Sequence, residues 1–496
     1  MPGLRTASHN RGDLPLSFQP ISRENERGRA HYPKPVSNHF AADIVTTSAR
    51  KHTLSKKNVF VVGLNEFNLG MLRHLRGAEK IEFHQLLEPA LFYETEEFDI
   101  PDLLQRAEKQ LNDFDGSVDA ICGYMDFPVS TMLPILCKKF GTASVSLEAL
   151  LKCEHKYWSR LCQKEAVPDN IPDFVAFDPF DDEAFSKIGL GFPFFVKPIK
   201  GSGSRLGFYI AKPEDFDQAI ERLREEIGLI SEPFDYILDQ ADMPPEVRDI
   251  GGHYCIAEQI IGGRQCTMEG YVHDNKVVCT GLVDSIRYPQ VLSFFRYQYP
   301  SRLPKRIQRR MEKLTDTIMS HVGYNNSSFN IEYFWDEQLD DVWLLEVNTR
   351  ISQSHSDIFE KVDGVSNQQL TVDLALGQKP NMPSREGEFP LAAKFFHRVF
   401  HGDARVTRVP TREEVQAIEK DYPGSHILIQ VHEGMWLSEL PEQDSYSFAL
   451  AYIYMGAKNQ STLMRNYERI LKRLHFELDH GEEGIPRANL ETPPSD

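Results

Sequence analysis

The sequence predicts a multidomain chain of α/β and α+β type, on three observations. At 496 residues it is too long for one ordinary hydrophobic core, and length alone points to about three domains. Between residues 58 and 150, short β-branched runs each lead through a turn into a helical pattern, which predicts a small parallel sheet. Beyond residue 151 the pattern changes to paired strands joined by tight turns, which predicts antiparallel sheets.

Taken in order, residues 1–55 are rich in Arg, Ser, Asn, His and Pro without a sustained period, and are expected to form a flexible N-terminal extension. Residues 56–150 carry "NVFVVGLNEFNLGMLRHL" and "VDAICGYMDFPVSTMLPILCKKFG", two strand-to-helix units of an N-terminal α/β domain. The turn "GLNEFNLG" lacks G-x-G-x-x-G and so is not a dinucleotide fingerprint. Residues 151–385 hold the hairpins: "FFVKPIKGSGSRLGFYI" is strand, Gly-rich turn, strand, and "RQCTMEGYVHDNKVVCTGLVD" alternates around a turn at His273, Asp274 and Asn275. Residues 386–480 form a C-terminal α+β lobe of mixed strands and the helical "LMRNYERILKRLHFEL", and 481–496 a Pro-rich acidic tail.

Composition excludes several classes of function. Hydrophobic residues at 41% and charged ones at 26% match a soluble globular enzyme. A formal charge of -18, from 55 basic and 73 acidic residues, would repel a phosphate backbone, so nucleic acid is not an expected partner. The seven cysteines are scattered without a C-x-x-C pair, the usage of reduced thiols in a cytoplasm. "FALAYIYMGA" is about half the length of a bilayer span, and the N-terminus has no apolar signal region, so neither membrane insertion nor secretion is expected. A homodimer is the expected assembly only on the general prevalence of two-fold oligomers.

Two motifs carry chemistry. In "FVKPIKGSGSR", Lys197 lies near the end of an apolar strand and is followed by Gly201, Ser202, Gly203 and Ser204. Glycines let backbone N–H groups approach a phosphate, serines add donors and lysine adds charge. This is not a Walker loop, because the lysine precedes the loop and the loop leads to a strand. A solvated hairpin turn is the plain alternative.

The second motif, "FNIEYFWDEQLDDVWLLEVNTR", predicts two strands and a turn. Glu346, Asn348 and Arg350 share one face of the second strand. With the turn centred on Leu339, Glu332 falls directly across from Glu346. Like charges facing each other destabilise a sheet unless a cation lies between them. Two carboxylates and an amide oxygen suit Mg²⁺ or Mn²⁺, the rest of whose shell would be water and substrate phosphate. An exposed polar face of an edge hairpin is the alternative.

In combination the two motifs resemble the ATP-grasp superfamily, over about residues 58–385, with a weaker likeness of "QDSYSFALAYIYMGAKNQSTLMRNYERILKRL" to the C-terminal lobe of biotin carboxylase. The resemblance implies two antiparallel sheets clamping ATP. It implies that Lys156 in "CEHKYW" and Lys197 contact phosphate, with the Gly201–Ser204 loop above. It also implies that Glu258, Gln259, Ile260 and Ile261 in "AEQIIGG" form the adenine-binding hinge, that Glu332, Glu346 and Asn348 hold Mg²⁺ or Mn²⁺, and that Arg350 faces the reacting phosphoryl or acyl group. One departure is Gln265, where many members have an acid. Arg205 and His355 remain open between ligand contact and local bonding, and Asp126 between a ligand-facing strand end and a helix cap.

The implied reaction is phosphoryl transfer to a small carboxylate followed by acyl transfer to an amine, giving ADP and phosphate. A biotin-carboxylase-like carboxylase is the alternative. There the arginine continues into Q-V-E-H, whereas "ISQSH" places Ser354 at the position of the basic glutamate. A catalytically inactive ATP-binding protein is the third possibility, opposed by the cost of keeping facing carboxylates without a cation.

Overall fold

The computed structural model describes residues 56–93, 95, 97–201, 206–289, 291–400, 402–440 and 447–480. The expected N-terminal extension, the tail, and Ser202, Gly203, Ser204 and Arg205 lie outside the described residues.

The first sheet is parallel. Strands β1 (Lys57–Val62), β2 (Ile81–Leu86) and β3 (Ala120–Cys122) pair in the order β2-β1-β3. Val59 to Val62 are all buried, as a central strand covered on both faces requires. The helix Ile100–Asn112 starts where the Asp99 side chain accepts from Asp102 N, and Leu103, Leu104, Ala107 and Leu111 form its buried stripe.

The second sheet is antiparallel, with β4 (Phe174–Phe177), β5 (Phe194–Pro198), β6 (Phe208–Ile210) and β7 (Cys255–Gln259) in the order β4-β7-β5-β6. It has its own core, in which Phe177, Phe194, Val196 and Ala257 meet Phe216 and Leu223 of the helix Pro213–Glu226. The expected hairpin around the Gly-rich turn is the β5–β6 pair.

The third sheet contains β8 (Arg264–His273), β9 (Lys276–Arg287), β10 (Phe294–Tyr299), β11 (Ser327–Asp336), β12 (Asp341–Asn348) and β13 (Leu391–Val399). After β14 (Arg405–Arg408) come β15 (Ser425–Ile429), β16 (Phe448–Ala457) and β17 (Glu477–Asp479). The order is β12-β11-β8-β9-β10-β13-β16-β15, antiparallel throughout, with β14 and β17 as a separate ribbon. The β8–β9 turn is at Asp274 and Asn275, both at positive φ, as a two-residue hairpin requires.

Residues 386–480, read from sequence as a lobe of their own, therefore add β13, β16 and β15 to the sheet begun by residues 264–348. The pairing of Arg296 with Phe395 joins strands about a hundred residues apart, a contact with no local pattern to announce it. "FALAYIYMGA" is β16. Among the described residues no helix is long and apolar enough to cross a membrane.

Candidate active site

Glu332 on β11 pairs with Glu346 on β12. The ladder runs regularly from Asp336 opposite Asp341 to Tyr333 opposite Leu344, then shifts by one so that Leu345 is extra. That bulge puts Glu346 and Asn348 on the face of Glu332 and Asn330, and leaves Ile331 and Val347 on the core face. Without it Glu346 would pair with the fully buried Ile331.

The two carboxylates have opposite electrostatic fates. Burial and the neighbouring Glu346 push Glu332 above the ordinary carboxylate range. Burial also raises Glu346, but Lys156 and Lys197 outweigh it and hold that carboxyl below its usual value. Asn348 Nδ2 donates to Asn330 Oδ1 at 2.9 Å and to Glu332 Oε1 at 3.4 Å, so its amide oxygen is the atom it does not use within the described residues.

The lysines come from two other elements. Lys156 opens the helix Lys156–Ala166, capped by His155, whose Nδ1 accepts from Trp158 N. Its Nζ donates to Gly201 O at 2.8 Å and lies 3.5 Å from Glu346 Oε1. Burial lowers the Lys156 pKa and Glu346 opposes the shift. Lys197 on β5 lies 2.8 Å from Glu258 Oε2, while Arg160 Nε donates to Glu258 Oε1 at 2.6 Å. Burial would raise Glu258, but Arg160 and Lys197 hold it down to about 2.

A second ionic cluster borders the first. Lys200 Nζ, at the root of the Gly-rich loop, sits 2.7 Å from Glu154 Oε2 and 3.3 Å from Asp126 Oδ1. Asp126 Oδ2 accepts from Arg350 Nη2 at 2.8 Å, and Glu154 also accepts from the Thr349 hydroxyl. Although burial opposes it, Lys200 and Arg350 hold the Asp126 carboxyl far below its usual range. Asp126 is thus an ion-pair partner of Arg350, not the helix cap offered as its plainer use. Sequence reading missed Glu154, Arg160, Lys200 and Thr349.

The hinge residues divide. Glu258 lies inside the second sheet, flanked by Phe174 and Phe195, with its side chain buried in the ion pairs above. Gln259 N donates to Asp173 O. Ile260 and Ile261 leave the sheet, and no hydrogen bond among the described residues uses their backbone groups. Gly263 follows at φ 116°, where a Cβ would come within 2.3 Å of Trp335 O. Gln265 donates to Glu332 Oε2 at 2.8 Å and accepts from Arg287 Nη2 at 2.6 Å, so the amide carries the influence of a cation to the carboxylate. His355 is buried, with Nδ1 2.7 Å from Glu269 Oε1.

Residues 190–357 match the family model of the ATP-grasp domain. The chain carries an ATP-grasp domain. Solved structures share the fold of most of the chain. The L-amino acid ligase from Bacillus licheniformis is 16% identical, with a TM-score of 0.63 over 86% of this chain and 99% of its own. Biotin carboxylase from Campylobacter jejuni is 14% identical, with a TM-score of 0.59 over 85% and 92%. Phosphoribosylglycinamide synthetase from Anaerococcus prevotii is 15% identical, with a TM-score of 0.57 over 85% and 100%. No curated protein matches the chain.

The side chains gathered here, from Lys156 to Asn348, have the chemistry that a divalent cation beside phosphate would need. Among the described residues no group of three or more His, Cys, Asp or Glu is arranged for a metal. Two carboxylates and one amide oxygen make the sparse set that suits Mg²⁺ sharing its shell with phosphate. The raised Glu332 pKa marks a place where added positive charge is favourable. Lys156 and Lys197 are the cations on the same side, and Gly201 is the described part of the loop beside them.

Proposed function

We propose that this protein is an ATP-dependent ligase that activates a small carboxylate, an amino acid or related metabolite, as an acyl phosphate and joins it to an amine, releasing ADP and phosphate. The observation that carries this reading is the facing pair Glu332 and Glu346, bordered by Lys156 and Lys197.

Bound at the two glutamates and Asn348, Mg²⁺ or Mn²⁺ would neutralise phosphate charge. Lys156 and Lys197 would grip the β and γ phosphates, with Gly201, Ser202, Gly203 and Ser204 covering them. Ile260 and Ile261 offer unused backbone groups to adenine, behind Glu258 and Gln259. The substrate carboxylate would attack the γ-phosphorus, breaking its bond to the β–γ bridging oxygen so that ADP leaves, and the amine would then attack the acyl carbon, giving up a proton and expelling phosphate as the acyl C–O bond breaks. Arg350, held at 2.8 Å by Asp126, would stabilise the charge developing at the reacting group. The work is positioning and electrostatics, with no covalent nucleophile on the protein.

Ser354 favours ligase over carboxylase. Its hydroxyl accepts from Lys394 Nζ at 2.9 Å, and serine does not remove a proton from bicarbonate at neutral pH. The test is incubation with ATP, Mg²⁺ and pooled amino acids. ADP formation that needs both an acid and an amine, with oxygen-18 passing from the acid into phosphate, is the expected result. Bicarbonate-dependent turnover would favour the carboxylase, and absence of nucleotide turnover would end the ligase reading.

A further inference from the structure

We propose that Arg160 is a positioning residue for this reaction: its one guanidinium clamps the β12 bulge and, through Glu258, the ammonium of Lys197. The inference rests on the ligase reading for its catalytic consequence, but its physical content is independent of it.

Arg160 is almost fully buried and uses all three nitrogens. Nε donates to Glu258 Oε1 at 2.6 Å, Nη1 to Leu344 O at 3.1 Å and to Gln163, and Nη2 to Leu345 O at 2.7 Å. In a regular strand consecutive carbonyls point to opposite sides, so one planar fork does not reach both. Here it does, because Leu344 and Leu345 are the residues of the bulge and β12 is the edge of its sheet. The guanidinium supplies the partners that an edge strand otherwise finds in water or in another chain.

The consequence reaches both halves of the site. On the third sheet, a held bulge fixes Glu346 opposite Glu332. On the second sheet, Glu258 receives Arg160 on one oxygen and Lys197 on the other, at 2.6 and 2.8 Å. Arg160 thus connects a metal carboxylate on one sheet to a phosphate lysine on the other without facing substrate itself. Lysine would not replace it: a compact ammonium can pair with Glu258 but lacks the fork that meets two adjacent carbonyls.

The test compares wild type with Arg160→Met, Arg160→Lys and Glu258→Gln. Hydrogen exchange reads the backbone amides of residues 344–348, and ATP turnover is titrated with Mg²⁺. Both Arg160 variants are expected to exchange faster at 344–348. The Mg²⁺ needed for half-maximal turnover should rise by about tenfold or more, the usual consequence of losing a group that orients a metal ligand. Glu258→Gln, which leaves the carbonyl arm in place, should exchange at 344–348 like wild type. If Arg160→Met does not fold, Arg160→Lys decides by the same readouts. Wild-type exchange at 344–348 in Arg160→Lys, or equal acceleration in Glu258→Gln, overturns the inference. A wild-type protein without ATP turnover removes the ligase reading, while the exchange comparison still decides whether Arg160 holds the bulge.

Discussion

Glu346 stands opposite Glu332 because Leu345 is one residue more than the β11–β12 ladder can pair. The side chains that meet there are a carboxylate pushed up in pKa and one pulled down, with Lys156 at 3.5 Å from the second. Glu346→Gln removes a charge from this pair and leaves the shape. It should lower kcat by roughly a hundredfold or more, about 2.7 kcal/mol of transition-state stabilisation. Steady-state ATP turnover at saturating Mg²⁺ measures it, and near-normal turnover would take the metal role away from Glu346.

Acid should expose the Glu258 ion pairs. Burial works against the charged form, yet Arg160 and Lys197 hold the carboxyl at about 2, below its reference of 4.5. A depressed folded-state pKa contributes stability that is complete above about 4.5 and is lost as the pH falls through about 2. Urea unfolding should therefore show wild type losing an advantage over Glu258→Gln, on the order of 3 kcal/mol, across that window. A pH-independent difference between the two proteins would refute the pairing.

Gly263 is expected to tolerate no side chain. Its φ of 116° is a conformation open mainly to glycine, and a Cβ there would press on the Trp335 carbonyl at 2.3 Å. Gly263→Ala should cost about 2 kcal/mol or more. It should also impair nucleotide binding, because the strain falls two residues after Ile261. Thermal melting and an ATP titration are the measurements, and an alanine variant as stable as wild type would contradict the geometry.

Six of the seven cysteines are buried, and Cys279 alone is partly exposed. Burial pushes the Cys162 and Cys137 thiols up to about 11 and Cys279 to about 12. Thiolate is the reactive form. Native protein at pH 8 should release at most one equivalent from a thiol reagent on the minute timescale, and all seven after denaturation. Rapid reaction of two or more native thiols would contradict this burial.

The facing carboxylates were legible in sequence, though by two departures that cancel. The expected turn centre at Leu339 assumes an even ladder, whereas the real ladder centres half a residue earlier and then gains one residue at Leu345. Alternation of apolar and polar residues registers which face a side chain takes, but a bulge leaves no composition mark. The buried ionic partners were less legible: Asp126 and Arg350 are 224 positions apart, and Arg160 and Glu258 are 98 apart. One trace existed. Arg160 follows Lys156 by four residues, so both project from one side of the same helix. The union of β13, β16 and β15 with the site sheet was invisible for the same reason of distance along the chain.

The sheet order that runs from β12 to β15 ties β13, β16 and β15 to the strands that carry Glu332 and Glu346 at the opposite rim. A premature stop after residue 385 would strip β13 from β10 and leave six residues of raw strand, Phe294–Tyr299, seeking a foreign partner. Such a product would be an aggregation seed instead of a smaller folded protein.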